Sequence, residues 1–190
     1  MKHLGTRMLG SERIVLRRIE VEDYKQLYEN WACKEECSKY FPWSAVTEIE
    51  VYKKRVLNWV DNYKDDLYFN WLIVRKDTKE AIGIINLHNV DEQSGSAETS
   101  YILAPGHWGN GLMTEAVRRV LQYAFEELEL NRVCADVFAG NVASEKVLEK
   151  CGFQCEGVIK ERYEKDGIRI DAILYGIQKW TKEKIEREKK

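Results

Sequence analysis

The chain has 190 residues, 44% apolar and 33% charged, with Lys+Arg 30 against Asp+Glu 32 for a formal charge of −2. That suits one globular domain, and charge this balanced, without long one-sign runs, argues against a nucleic-acid partner. No apolar run nears the roughly 18 residues of a membrane span and MKHLGTRMLG has no signal-peptide core, so a cytoplasmic protein without membrane contact, its five cysteines free thiols, is expected.

In chain order, Ile14–Arg18 alternates apolar and basic residues, as an edge or half-exposed strand does. Asp23–Trp31 reads as a short helix. Thr47 with Glu50 carries a capping-box signal for a second helix holding Val51, Val56, Leu57 and Val60. Tyr68–Arg75, Ala81–His88 and Ala97–Leu103 read as an antiparallel meander, with turns at Lys76–Glu80 and Asp91–Ser96. A long helix follows from Met113 to Glu129, with Val117, Val120, Leu121, Ala124, Phe125 and Leu128 on one face. Arg132–Phe138 is a strand. Asn141 can cap a helix over Val142–Lys150 that stops at Gly152. Phe153–Arg162 and Ile168–Ile177 flank an Asp166-Gly167 hairpin turn. The tail from Lys179 is mostly charged. No repeat or linker breaks the chain, so residues 1–178 are expected to be one domain of mixed α/β type.

Tyr101–Ala116 (YILAPGHWGNGLMTEA) joins a strand to a helix through Gly106, Gly109 and Gly111. Free amides and a helix N-terminus there would suit a pyrophosphate, although a tight turn without a ligand fits too. A Walker loop needs Gly-Lys-Ser/Thr, and Gly111 is followed by Leu112-Met113. A dinucleotide fingerprint has the opposite glycine spacing and sits at the first strand. Cys33/Cys37 and Cys151/Cys155 are spaced four apart, without clustered His, which fits structural zinc poorly; no metal is expected.

Other segments narrow the reading. Leu16-Arg17, Ala97-Glu98, the run Trp108–Ala116, Asn131-Arg132, Asn141-Val142-Ala143-Ser144, Leu148–Phe153, Glu156-Gly157 and Gly167 with Asp171 occur in this order. Together they resemble the GCN5-related N-acetyltransferase (GNAT) family, in particular the branch that acetylates ribosomal-protein N-termini. The resemblance covers nearly the whole chain. It implies an α/β (α+β) acyl-CoA N-acyltransferase fold, with one mixed, mostly antiparallel twisted sheet of about six to seven strands and about four helices. It implies transfer of acetyl from acetyl-CoA to a primary amine, on a peptide or protein N-terminus or a small molecule, by direct attack in a ternary complex.

The resemblance also assigns roles. Trp108, Gly109, Asn110, Gly111, Leu112 and Met113 would cradle the coenzyme A pyrophosphate by backbone. Gly106 stands where the family often has Gln or Arg, so one anion contact is missing. Ile102 and Leu103 would pair with the pantetheine arm, and the amide near Leu103 would polarise the thioester carbonyl, an effect on the order of 3 kcal/mol. Asn141 would contact pantetheine besides capping its helix, and Ser144 would lie near the sulfur. An amine acceptor must lose a proton, so a base is needed. Glu98 is the first candidate and Asp136 the second. The family's thiolate-protonating tyrosine is replaced by Leu148, which leaves Ser144 as a donor, with Tyr163 and Tyr101 behind it. Trp31, Trp43, Trp59 and Trp71, with Tyr40, Phe41, Tyr63 and Phe69, are either core or the wall of an acceptor cleft. A non-catalytic coenzyme-A-binding module of the same fold is the alternative. Monomer and homodimer both fit, and the sequence does not name the acceptor.

Overall fold

The computed structural model describes residues 1–179; the rest of the charged tail lies outside the described residues. Eight strands form one sheet in the order β1-β2-β3-β4-β5-β6-β8-β7. They are β1 Leu9–Gly10, β2 Ile14–Arg17, β3 Phe69–Arg75, β4 Ala81–Asp91, β5 Ser96–Leu103, β6 Arg132–Phe138, β7 Gln154–Lys165 and β8 Ile168–Gln178. The helices are α1 Tyr24–Leu27, α2 Glu35–Ser38, α3 Ile49–Asn62, α4 Leu112–Gln122 and α5 Val142–Lys150. The strand missing from the sequence reading is β1. It has two residues, too few to show a period, and it pairs outside β2 through Leu9↔Leu16 and Gly10↔Val15.

Every neighbouring pair is antiparallel except β5–β6. That parallel pair holds for three residues only, Ser96↔Arg132, Ala97↔Val133 and Glu98↔Cys134. Beyond it, β5 stays paired to β4 as far as Leu103↔Gly83, and β6 stays paired to β8 as far as Phe138↔Ala172. The sheet therefore splits between β5 and β6 and opens a wedge towards their C-terminal ends.

Each face of the sheet buries its own core. One cluster packs Trp71, Ile85, Ala97, Val133 and Tyr175 against Val117, Val120, Leu121 and Ala124 of the α4 segment and Leu148 of α5. The other packs Leu72 on the sheet with Leu27, Trp31, Tyr52 and Val56, and Ile84 and Ile102 join it. The π turns at Tyr28–Ala32 and Tyr123–Glu127 extend α1 and α4, which accounts for the longer helices read from the sequence. The expected Thr47 capping box does not form. The helix begins at Ile49 after Glu48 without a side-chain cap, and the Thr47 carbonyl accepts a hydrogen bond from Tyr28 Oη at 2.8 Å. Asp166 and Gly167 both have positive φ, at 51° and 77°, as the two central residues of a type I′ hairpin require.

Candidate active site

The glycine loop lies at the mouth of the wedge. Gly109 and Gly111 have φ of 76° and 74°, a conformation that costs any side-chain-bearing residue. Gly111 is the N-cap of α4, and no side chain caps that end. The first-turn amides therefore stay available to an anion, at the positive end of the helix dipole. A Cβ built on Gly109 meets nothing within 4 Å, so the main chain there borders open space. This concave, donor-rich turn fits a pyrophosphate held by backbone. Gly106 sits in the short turn Pro105–His107 without positive φ.

Arg13 adds a cation that local sequence could not place here. It donates through Nη1 to Asn110 O at 3.0 Å, and its Nε donates to Glu115 Oε2 at 2.7 Å. Glu115 also accepts from the Arg13 amide and from Ser11 Oγ. Burial would raise the Glu115 pKa, but these donors outweigh it and hold the carboxyl below its usual value. Arg13 lies 97 residues before Asn110, a juxtaposition that only the fold makes.

Strand alternation decides which amides of β5 face the wedge. The Ala104 amide donates to Ile82 O at 2.7 Å, on the β4 side. In a regular antiparallel pair, Ile102 and Ser100 then also face β4, and Thr99, Tyr101 and Leu103 face the opening. This corrects the expectation for Ile102: its backbone serves the sheet, and Tyr101 takes its place beside Leu103. The Leu103 carbonyl accepts from Trp108 Nε1 at 2.7 Å, which ties the loop to the strand.

Asn141 caps α5, its side chain accepting from the Ser144 amide at 3.3 Å. Ser144 Oγ is 2.8 Å from Tyr101 Oη, so the strand and α5 meet at a hydroxyl pair. Burial pushes the Tyr101 phenol far above its usual pKa and keeps it protonated. Leu148 is fully buried in the core, and Tyr101 rather than a residue of α5 brings the phenol to Ser144.

Glu98 pairs with His88 on one side and Cys134 on the other, and Asp136 is two residues beyond Cys134. Directly paired residues share a face, as do residues two apart, so Glu98, His88, Cys134 and Asp136 stand together where the sheet splits. They lie on the face opposite α4 and α5, the one that carries Ile84 and Ile102. Burial, then the charge of Glu98, raises the Asp136 pKa despite Arg162 Nε at 3.6 Å and Tyr163 Oη at 3.4 Å. Glu98 is five residues from Leu103, about 17 Å along the strand, and three from Tyr101, about 10 Å. Proton transfer to either carboxylate from an amine at the wedge therefore needs water. The buried thiols are poor nucleophiles: burial pushes Cys37 and Cys151 up to about 11, and Cys134 is raised as well.

Of the aromatic residues, Trp71 and Phe69 are core, whereas Trp31, Trp43 and Trp59 line a cavity of about 70 Å³ over Ile84 and Ile102. A wider cleft of about 540 Å³ runs beside it past Asn70, Asn86 and His88.

The sheet split beside a glycine-capped helix sets unpaired strand amides next to a backbone turn suited to an anion. Residues 13–154 match the acetyltransferase (GNAT) domain, and the chain belongs to that family of N-acetyltransferases. It is similar to p20 of Bacillus licheniformis, an uncharacterized N-acetyltransferase, at 32% identity over 90% of this chain and 96% of that one. It is also similar to YoaA of Bacillus subtilis, another uncharacterized N-acetyltransferase, at 33% identity over 90% and 97%. Its fold matches the crystal structure of RimL, a ribosomal L7/L12 α-N-protein acetyltransferase in complex with coenzyme A, with a TM-score of 0.82 at 18% identity over 90% and 98%. Among the described residues, no helix is long and apolar enough to cross a membrane.

Proposed function

We propose that the chain transfers acetyl from acetyl-coenzyme A to a primary amine by direct attack within a ternary complex. The observation that carries this is the wedge: unpaired amides of β5 lead from an anion cradle at Trp108–Met113 to two carboxylates at the split. Acetyl-coenzyme A, when bound, supplies an acetyl thioester whose carbonyl carbon the neutral amine attacks as the thiol leaves. The Leu103 or Tyr101 amide donates to the carbonyl oxygen as negative charge develops there. Glu98, with Asp136 beside it, takes the proton lost by the amine through water; the raised pKa of Asp136 moves it toward the working range of a base. Ser144 Oγ–H donates a hydrogen bond to the departing sulfur, which leaves as the thiolate and takes its proton from water. Tyr101 Oη lies 2.8 Å from Ser144 Oγ and donates to the Ser144 carbonyl at 3.3 Å, which holds the serine hydroxyl in place. Burial raises the Cys37, Cys134 and Cys151 thiols, and the direct attack uses no acyl-enzyme.

Acceptors of peptide N-terminal type are supported by the likeness to RimL, which acts on a ribosomal protein. Incubation with acetyl-coenzyme A and an amine panel, followed by thiol release, tests the proposal. Release that depends on one class of amine supports it, and binding without release on any amine contradicts it.

A further inference from the structure

The small aromatic cavity beside the wedge has a one-sided polarity. Trp31 and Trp59 wall it, Trp43 stands half exposed at its rim, and Ile84 and Ile102 form its floor. Ile102 adjoins Leu103, whose amide faces the wedge, so the cavity floor lies one residue along β5 from the amide assigned above to the thioester carbonyl. Its rim is fixed from a distance. Lys165 Nζ, at the end of β7, donates to the carbonyls of Ser38, Phe41 and Trp43 at 2.7, 3.0 and 3.1 Å. Phe41 and Trp43 stack with their rings 4.3 Å apart. These contacts leave the wall preformed rather than assembled on binding.

Two groups in this cavity want an acceptor. Tyr52 is 2% exposed and lines the space; the Trp31 indole N–H can only donate to its hydroxyl, and among the described residues nothing accepts the hydroxyl proton. A ligand oxygen would take that proton and end the cost of burying the hydroxyl unpaired. Arg55, one turn further along α3, also lines the cavity, with its guanidinium 5.8 Å from the Tyr52 ring. Among the described residues it forms no ion pair, and no carboxylate lines the cavity. A cage of tryptophans would attract a cation, but the fixed charge of Arg55 opposes one. The donor set matches a carboxylate: a bidentate partner for the guanidinium, and an oxygen for the phenol.

We propose that this cavity is an acceptor subsite for a carboxylate, so that the preferred amines carry an acidic group close to the amine, as an acidic peptide N-terminus does, and polycationic amines are disfavoured. This rests on the acetyl-transfer reading above and deepens it by naming the acceptor class.

The test uses the full chain and free-amine tripeptides with Asp, Asn or Lys at the first or, separately, the second position, the other residues being alanine. Thiol release gives kcat/KM. Tryptophan fluorescence without acetyl-coenzyme A gives binding independent of turnover. The subsite predicts at least a tenfold preference for Asp over Asn at one position, expressed in KM, and Lys poorest. Arg55→Ala should bring the Asp/Asn ratio to near one, and Arg55→Glu should place Lys above Asp. Tyr52→Phe should lower the ratio by a smaller factor. Because Arg55 is exposed, its variants report on the site without threatening the fold. Asp-selective fluorescence binding without turnover would keep the subsite and remove the transfer reading. Turnover with equal Asp and Asn constants, an Arg55→Ala ratio like the wild type, or no peptide binding at all would overturn the subsite.

Discussion

Replacing Gly109 by alanine separates two consequences of one backbone angle. At φ 76° an L-residue costs about 1–2 kcal/mol. For a domain of this size, each kcal/mol shifts Tm by about 2–4 °C, so Gly109→Ala should lower Tm by about 2–8 °C. The added methyl would point into the open space beside the loop. There it would keep the pyrophosphate from the amides. Loss of a hydrogen bond to a charged group is about 1.5–3 kcal/mol, or roughly 10- to 150-fold in Kd. Gly106→Ala is the control, since Gly106 lacks positive φ and its added Cβ also meets nothing within 4 Å. It should leave Tm within about 2 °C and Kd within about twofold. Thermal melts and calorimetric titration with coenzyme A read both quantities. Gly109→Ala that melts early yet binds coenzyme A normally would refute the cradle. Equal loss of binding in both variants would also refute it.

Other perturbations test the remaining parts of the site. Glu98→Gln should cut turnover by about 10²–10⁴-fold at pH 7 with little change in coenzyme A binding; an unchanged rate on the preferred acceptor removes Glu98 as the base. The same substitution removes the like charge beside Asp136, so the Asp136 pKa, followed by carboxyl NMR, should fall. A carboxyl whose folded pKa is raised favours the folded state less once pH passes above the ordinary carboxylate range. Asp136→Asn should therefore gain Tm relative to the wild type as pH rises from 4 to 7, and a constant difference would contradict the raised pKa. Tyr101→Phe should lower kcat more than it raises KM, with the deficit shrinking for a thioester whose thiol is more acidic; equal losses on both donors would make Tyr101 merely structural. Arg13→Gln should weaken coenzyme A binding and flatten its dependence on salt, whereas an unchanged salt slope would place Arg13 outside the anion site. Alanine at Cys134, Cys151 and Cys155 together should leave transfer largely intact, and lost turnover with the fold preserved would point to an acyl-enzyme.

Much of the fold was legible because its elements carry local signals. The meander of β3, β4 and β5, the apolar stripe of α4 and the Asp166-Gly167 turn each read from periodicity or turn chemistry, and β6 appears at its expected bounds. Gly109 and Gly111 were readable because positive φ selects glycine. Other features depend on contacts that no short segment contains. Two residues of β1 cannot show a period, and the Thr47 box lost to a helix start shifted past it. The split between β5 and β6 is a matter of where pairing stops, which strand composition does not encode. For the same reason Ile102 and Tyr101 could not be told apart before the register was known. Arg13 at the glycine loop, Tyr101 at Ser144 and Lys165 under the aromatic rim all join distant parts of the chain. Glu98 and Asp136 carry no local signal of each other, and only the register places them side by side.

Whether an acyl thioester in the wedge reacts with an amine at the split of the sheet is read by mixing the full chain with acetyl-coenzyme A and the amine panel and measuring free thiol and acetylated amine together. One acetylated amine should form for each thiol released, lost in Glu98→Gln and weakened in Gly109→Ala through the KM for acetyl-coenzyme A. Tight coenzyme A binding with no thiol release on any amine would make the chain a binding module, and stronger thermal stabilisation by ATP-Mg than by coenzyme A would contradict the donor itself.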